Sequence, residues 1–144
     1  MYRHILIPTD GSELAERAVR HGLSLAKFVG AKVTVVIVEE RLPGWLSLAG
    51  VAEAVAQSAE QIKKHAASAL DRVANAAKEA GVSCETIQVE NAQPHQGIIA
   101  TAEDKGCDLI VMSSHGLNGL SMLLIGSVTN KVLTYAKVPV LVCR

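Results

Sequence analysis

Apolar positions follow two alternating rhythms along this chain. Short, near-continuous runs rich in β-branched residues are expected of strands covered on both faces. Longer segments whose apolar residues recur every three or four positions are expected of helices packed along one stripe. His4–Ile7 is the first short run, and Pro8 ends it, since a proline cannot continue a central ladder. The turn Thr9-Asp10-Gly11-Ser12 leads into a helix over Glu13–Val29 with Leu14, Ala18, Leu25 and Phe28 as its stripe, closed by Gly30. Lys32–Val38 reads as a second strand, and Glu39–Gly50, which holds Pro43-Gly44, as an irregular loop. Val51–Ala80 is a long alanine-rich helix with Val55, Ala59, Ile62, Ala66, Ala69 and Val73 on one side, closed by Gly81. A third strand is expected over Val82–Glu90 and a helix over Pro94–Lys105, opened by its proline and closed by Gly106. Leu109–Met112 is a fourth strand. A small polar loop, Ser113–Gly119, and an apolar piece, Leu120–Ile125, come before a helix over Val128–Ala136 and a last strand, Val138–Val142.

Helix, glycine, apolar strand recurs at Gly30, Gly81 and Gly106. That rhythm is the mark of βαβ units with right-handed crossovers. The fold class expected is α/β: one doubly wound, five-stranded parallel sheet with helices on both faces, formed by a single domain over residues 1–144. In such a sheet a ligand binds beyond the carboxyl ends of the strands, where the strand order reverses. The loops Pro8–Ser12 and Ser113–Gly119 lie at that end.

Composition narrows the class of partner. The formal net charge is +0 over 144 residues, which argues against a partner held mainly by charge, such as bulk nucleic acid or an anionic membrane. Aromatic residues make up only 3% of the chain, too few for a base-stacking platform. The apolar runs are too short to span a bilayer, and Pro8 and Asp10 interrupt the amino-terminal run before it could serve as a signal peptide, so the chain is expected to be cytoplasmic. Cys84, Cys107 and Cys143 are widely spaced and form no C-x-x-C pair. They are expected to be reduced and mostly buried.

The stretch Leu109–Tyr135 carries the candidate chemistry. A strand, a glycine-containing loop, Gly126-Ser127 and a helix start are the parts of an anion site built from backbone. The first N–H groups of a helix point outward with partial positive charge, and glycine lets a phosphate approach them. Ser127 and Thr129 add hydroxyl groups in the same turn. A purely structural reading explains the same residues: a loop needing positive φ at Gly116 and Gly119, then Ser127 as N-cap. Asp10, after a strand and before a helix, serves as a turn or cap residue or adds to that a ligand role. His115 beside Ser113 and Ser114 invites a hydrolase reading. No G-x-S-x-G elbow is present, and adjacent strand residues point to opposite faces, so a structural or phosphate-proximal histidine fits better. There is no G-x-x-x-x-G-K-[ST] loop and no glycine-rich turn after the first strand. Trp45 with Leu42, Leu46 and Leu48 forms an apolar loop segment that fits a lid, a dimer contact or, by default, packing on the sheet edge.

The residues ILIPTDGS (5–12), the strand end VVIVEE, SSHG (113–116), GSVTNKVL (126–133) and the closing VPVLVCR together resemble the universal stress protein family over the whole chain. In its nucleotide-binding branch a G-x-x-G, nine residues, then Gly-Ser or Gly-Thr form an ATP loop. Here Gly116, nine residues and Gly126-Ser127 match, whereas Ser113 stands where the first glycine is expected. The resemblance implies a Rossmann-like, adenine nucleotide alpha hydrolase-like fold and a stress-response role. It implies ATP or another adenine nucleotide as cofactor, with Mg through its phosphates. Asp10 would face the ribose or that phosphate-bound metal. Val38 would set its main chain on the adenine edge, with Pro8 and Thr9 beside the base. Met112, Ser113, Gly116, Gly126, Ser127, Val128 and Thr129 would hold ribose and phosphates.

Three classes of function remain open at this point: a regulatory protein that holds ATP without fast turnover, an interaction module whose nucleotide site has decayed at Ser113, and a slow ATPase. No general base beside a γ-phosphate and no arginine finger is visible, so hydrolysis would be weak. The apolar, uncharged last strand Val138–Val142 is expected at a sheet edge, open to pairing with a second copy in a homodimer.

Overall fold

The computed structural model describes residues 1–48, 50–116 and 125–144, with the backbone only at Ser47. The expectations for Gly119 and for the apolar piece 120–124 lie outside the described residues. The elements are β1 (His4–Pro8), α1 (Glu13–Val29), β2 (Lys32–Glu40), the short α2 (Trp45–Leu48), α3 (Ala52–Ala80), β3 (Cys84–Asn91), α4 (Pro94–Lys105), β4 (Leu109–Ser113), α5 (Ser127–Tyr135) and β5 (Val140–Cys143). The strands form one parallel sheet in the order β3-β2-β1-β4-β5. The α/β, doubly wound, five-stranded architecture is therefore as expected.

Alternation within the central strands builds two cores. Ile5, Ile7, Val33, Val35, Ile37, Leu109 and Val111 face α1 and α3, where they meet Val19, Leu23, Ala66, Leu70 and Val73. Leu6, Val36, Ile110 and Met112 face the other way, against Ile98 and Ala102 of α4 and Val132 of α5. Gly30, Gly81 and Gly106 close their helices with φ of 72°, 71° and 64°, the left-handed conformation that glycine adopts without penalty.

Several expectations are corrected. Phe28 is 89% exposed, because α1 packs through Ala15, Ala18, Val19, Gly22, Leu23 and Ala26 instead. Ile62 is also exposed, since the buried residues of α3 begin at Ala66 and its first turns run beyond the sheet. The loop after β2 contains α2, and Trp45 and Leu48 are exposed rather than packed on a sheet edge. β5 begins at Val140, two residues after the expected start; Pro139 has no N–H to give, and only its carbonyl bonds to β4, accepting from Ile110. Among the three free cysteines only Cys107 is fully buried, which pushes its thiol up to about 11.

His4 sits under the sheet with Nδ1 3.0 Å from the Lys105 carbonyl and Nε2 2.8 Å from Thr34 Oγ1. A carbonyl only accepts, so Nδ1 carries the proton and Nε2 accepts from the threonine hydroxyl. Burial, with Lys32 nearby, lowers the His4 pKa below its ordinary 6.5. The folded state thus binds its proton later than the unfolded state on acidification. This contribution is fully present above pH 6.5 and is lost as pH falls from 6.5 toward the lowered value. The urea midpoint of the wild type should fall between pH 7 and pH 5, and His4→Gln should flatten that limb. An unchanged pH profile in the variant would exclude His4 as its source.

Candidate functional site

The sheet order reverses between β1 and β4, and their carboxyl ends open there into a cleft of about 400 Å³. Every site residue expected from the sequence lines it: Pro8, Thr9, Asp10, Val38, Met112, Ser113, Gly116, Gly126, Ser127, Val128 and Thr129. Among the described residues Ala15, Val36, Glu40, Pro94, Ile98 and His115 also line it. One end is aliphatic, between Val36, Val38, Pro94, Ile98 and Met112. The other is polar, with Asp10, Ser113, Gly116 and the start of α5.

The aliphatic end owes its width to glycine. A Cβ on Gly97 would lie 2.7 Å from Val38 Cγ1, so α4 approaches β2 as closely as it does only because Gly97 has no side chain. Nothing in the sequence pattern singled out Gly97, since its partner is 59 positions away by numbering.

Backbone bonds fix which way the main chain of β2 faces. The Lys32 N–H donates to the Arg3 carbonyl at 3.0 Å, and the Val36 carbonyl accepts from the Thr9 N–H at 2.9 Å, so even-numbered residues turn toward β1. The Val33 N–H donates to Ser83 and the Arg41 N–H to Asn91, so odd-numbered residues turn toward β3. β1 stops at Pro8, opposite Val36. Val38 and Glu40 therefore aim both main-chain groups at the space beyond the end of β1, which is the cleft.

At the polar end, Thr129 Oγ1 donates to the Ser113 carbonyl at 2.9 Å and the Gly126 N–H to the Ser114 carbonyl at 2.8 Å. These bonds dock the start of α5 on the end of β4. The N-cap is Gly126, not Ser127, and it makes no side-chain capping bond; Ser127 is instead the first helical residue and lines the cleft. The first helical N–H to bond back inside α5 is that of Asn130, to Gly126, which leaves the preceding N–H groups without a carbonyl inside the helix.

Gly116 does not take positive φ, contrary to the turn expectation. What it needs is space, because a Cβ there would collide with Asp10 Oδ2. Asp10 Oδ1 accepts from the Ser12 N–H at 3.0 Å, a turn role, while Ser12 caps α1 by accepting from Ala15. Ser113 Oγ donates to the His115 carbonyl at 2.7 Å and so holds the loop at the position of the unmatched glycine. Ser114 Oγ and His115 Nδ1 are 3.1 Å apart, so these neighbours do meet, against expectation. Ser114 is nonetheless buried and does not line the cleft, so the Ser114–His115 pair does not present the Ser114 hydroxyl to it. Among the described residues no three metal-ligating side chains cluster, and no helix is long and apolar enough to cross a membrane.

The chain matches the model of the universal stress protein family over residues 1–144. Universal stress protein MJ0531 of Methanocaldococcus jannaschii is 37% identical over 145 residues, covering 100% of this chain and 83% of the relative. The solved structure of MJ0577, from the same organism, is similar with a TM-score of 0.82 at 32% identity, covering 99% of this chain and 95% of that one. A universal stress protein solved in complex with cAMP, 24% identical with a TM-score of 0.73 over 99% of this chain and 97% of that one, shares the fold.

Proposed function

The chain belongs to the universal stress protein family, and from that premise we propose that it is a single-domain, cytoplasmic stress-response protein that holds an adenine nucleotide, ATP in the first place. The observation that carries the reading is the division of the cleft into an aliphatic slot with an open main-chain edge and a polar end at the start of α5. The cleft also falls within the roughly 300–1,000 Å³ of small-molecule pockets. A flat purine fits between Pro8-Thr9 and Val38 without aromatic stacking. Its 6-amino group donates to the Val38 carbonyl and N1 accepts from an N–H of the same edge. Guanine would set its 6-oxo acceptor against that carbonyl. Asp10 and Met112 flank the ribose, Ser113, Gly116 and Gly126 shape the loop beside the phosphates, and Ser127, Val128 and Thr129 meet the phosphates through the first-turn N–H groups of α5 and the Ser127 hydroxyl.

Magnesium fits the same end. Asp10, a hard oxygen ligand packed against Gly116, would hold the ion, and magnesium, which usually keeps several waters, needs few protein ligands. When bound it would neutralise phosphate charge beside Asp10.

Denaturing the purified protein and identifying released small molecules by mass tests the proposal. An adenine nucleotide near one per chain is expected. Protein stripped of ligand that fails to bind ATP, ADP, AMP and cAMP at about 1 mM, the limit of weak specific affinity, would leave the interaction-module reading in its place.

A further inference from the structure

Three carboxylates crowd the ends of β2 and β3, and two of them are engaged. Glu39 accepts from Gln88 Nε2, and Glu90 Oε1 accepts from Arg41 Nε at 3.2 Å. Glu40 lines the cleft and receives no side-chain partner from the described residues. It follows Val38 by two positions, so both side chains leave the same face of β2, the face that carries Val36 toward α4. Its main chain also turns the same way as that of Val38. The carboxylate thus stands at the mouth of the aliphatic slot, one step further out than the open edge at Val38.

Resting on the nucleotide reading above, we propose that Glu40 is a base-selecting residue that reads the second hydrogen of an exocyclic amine. An ionised carboxylate only accepts hydrogen bonds. A 6-amino purine carries two N–H donors. One meets the Val38 carbonyl, and the other points outward along the strand, toward Glu40. A 6-oxo purine offers lone pairs in both directions and meets two acceptors. The Glu40 carboxylate thus adds an acceptor beyond the mixed donor and acceptor edge of Val38. The ligand class that follows is a purine nucleotide with an unsubstituted 6-amino group, with 6-oxo purines meeting one further mismatch at Glu40 beyond those along the Val38 edge.

The test compares ATP with inosine triphosphate, which differs at the 6-position and bears the same phosphates. Dissociation constants are measured by calorimetry for wild type, Glu40→Ala and Glu40→Lys. Glu40→Ala should reduce the preference for ATP roughly fivefold, the scale of one charge-assisted bond that stays partly in water. Glu40→Lys, which replaces an acceptor with a donor, should reduce it further. Because the two ligands carry equal phosphate charge, any general electrostatic change cancels in the ratio. The 2′-deoxy and 3′-deoxy forms of ATP are the controls for a carboxylate bound to ribose. A deoxy penalty in wild type that disappears in Glu40→Ala would move Glu40 to the sugar and overturn the proposal. So would an ATP-to-inosine-triphosphate ratio that ignores both substitutions while ATP still binds, and this would leave the nucleotide reading standing. A wild type that binds neither ligand would instead remove the nucleotide reading and this inference with it.

Discussion

Gly126→Val should weaken ATP binding by at least tenfold, about 1.4 kcal/mol, while the protein remains folded. A Cβ at this position would lie 3.1 Å from the Ser114 carbonyl oxygen and 3.5 Å from His115 Cα, so two further methyl groups must push the β4–α5 junction apart or project into the cleft. The first disturbs the Gly126 N–H bond to Ser114 and shifts the first turn of α5, and the second fills the space where phosphates would lie. The backbone itself is not the obstacle, because φ is −60° and ψ 154°, values open to any residue. Circular dichroism and a thermal midpoint within a few degrees of wild type would show that the fold persists. Calorimetry with ATP gives the readout, and equal affinity in both proteins would place the phosphates elsewhere.

The second large effect concerns assembly. We expect a homodimer through β5, split by Leu141→Lys with at least a tenfold rise in the dimer dissociation constant. β5 is an edge of the sheet, and Leu141 is 44% exposed there. The Pro139 and Cys143 carbonyls accept from the Ile110 and Ser114 N–H groups, so odd-numbered residues of this segment turn inward to β4. Val140 and Val142 accordingly turn their N–H and C=O outward, and the donor missing at Pro139 is an inward one. An uncharged edge with its donors and acceptors intact is a template for antiparallel pairing about a two-fold axis. Equilibrium ultracentrifugation at tens of micromolar, a range where such dimers are commonly measured, distinguishes the outcomes. A monomeric wild type, or a dimer indifferent to Leu141→Lys, would exclude this interface.

Glycine caps and alternating strands were legible because each is a local signal. Gly30, Gly81 and Gly106 mark helix ends by their own conformation, and the strand runs carry their own two-face pattern. The packing face of α1 was hidden by residue size. It fits the sheet closely through Ala15, Ala18, Gly22 and Ala26, so the expected stripe held at Ala18 and at the partly buried Leu25 but was drawn outward to Phe28 by residue size. Ile62 misled for a different reason, since its spacing is helical but the sheet beneath α3 does not reach it. Within the cleft, the loops after β1 and β4 were readable from their small polar residues. Pro94, Gly97 and Ile98 were not, because α4 meets Val38 only after the chain has crossed over the sheet. His115, expected to be structural or close to a phosphate, lines the cleft.

The open edge at Val38 exists because a neighbouring strand stops early. Donor and acceptor there belong to the peptide group, which every residue but proline supplies in full. Exchanging Val38 for isoleucine or threonine would change the width of the slot and leave its hydrogen-bonding pattern untouched. That pattern is stored in the length of β1. Two more paired residues beyond Pro8 would seal the edge with ordinary sheet bonds. Pro8 and the Thr9–Ser12 turn therefore act as a terminator whose position, on the nucleotide reading proposed above, would set the ligand chemistry, and moving it would change the edge without altering one side chain in the wall.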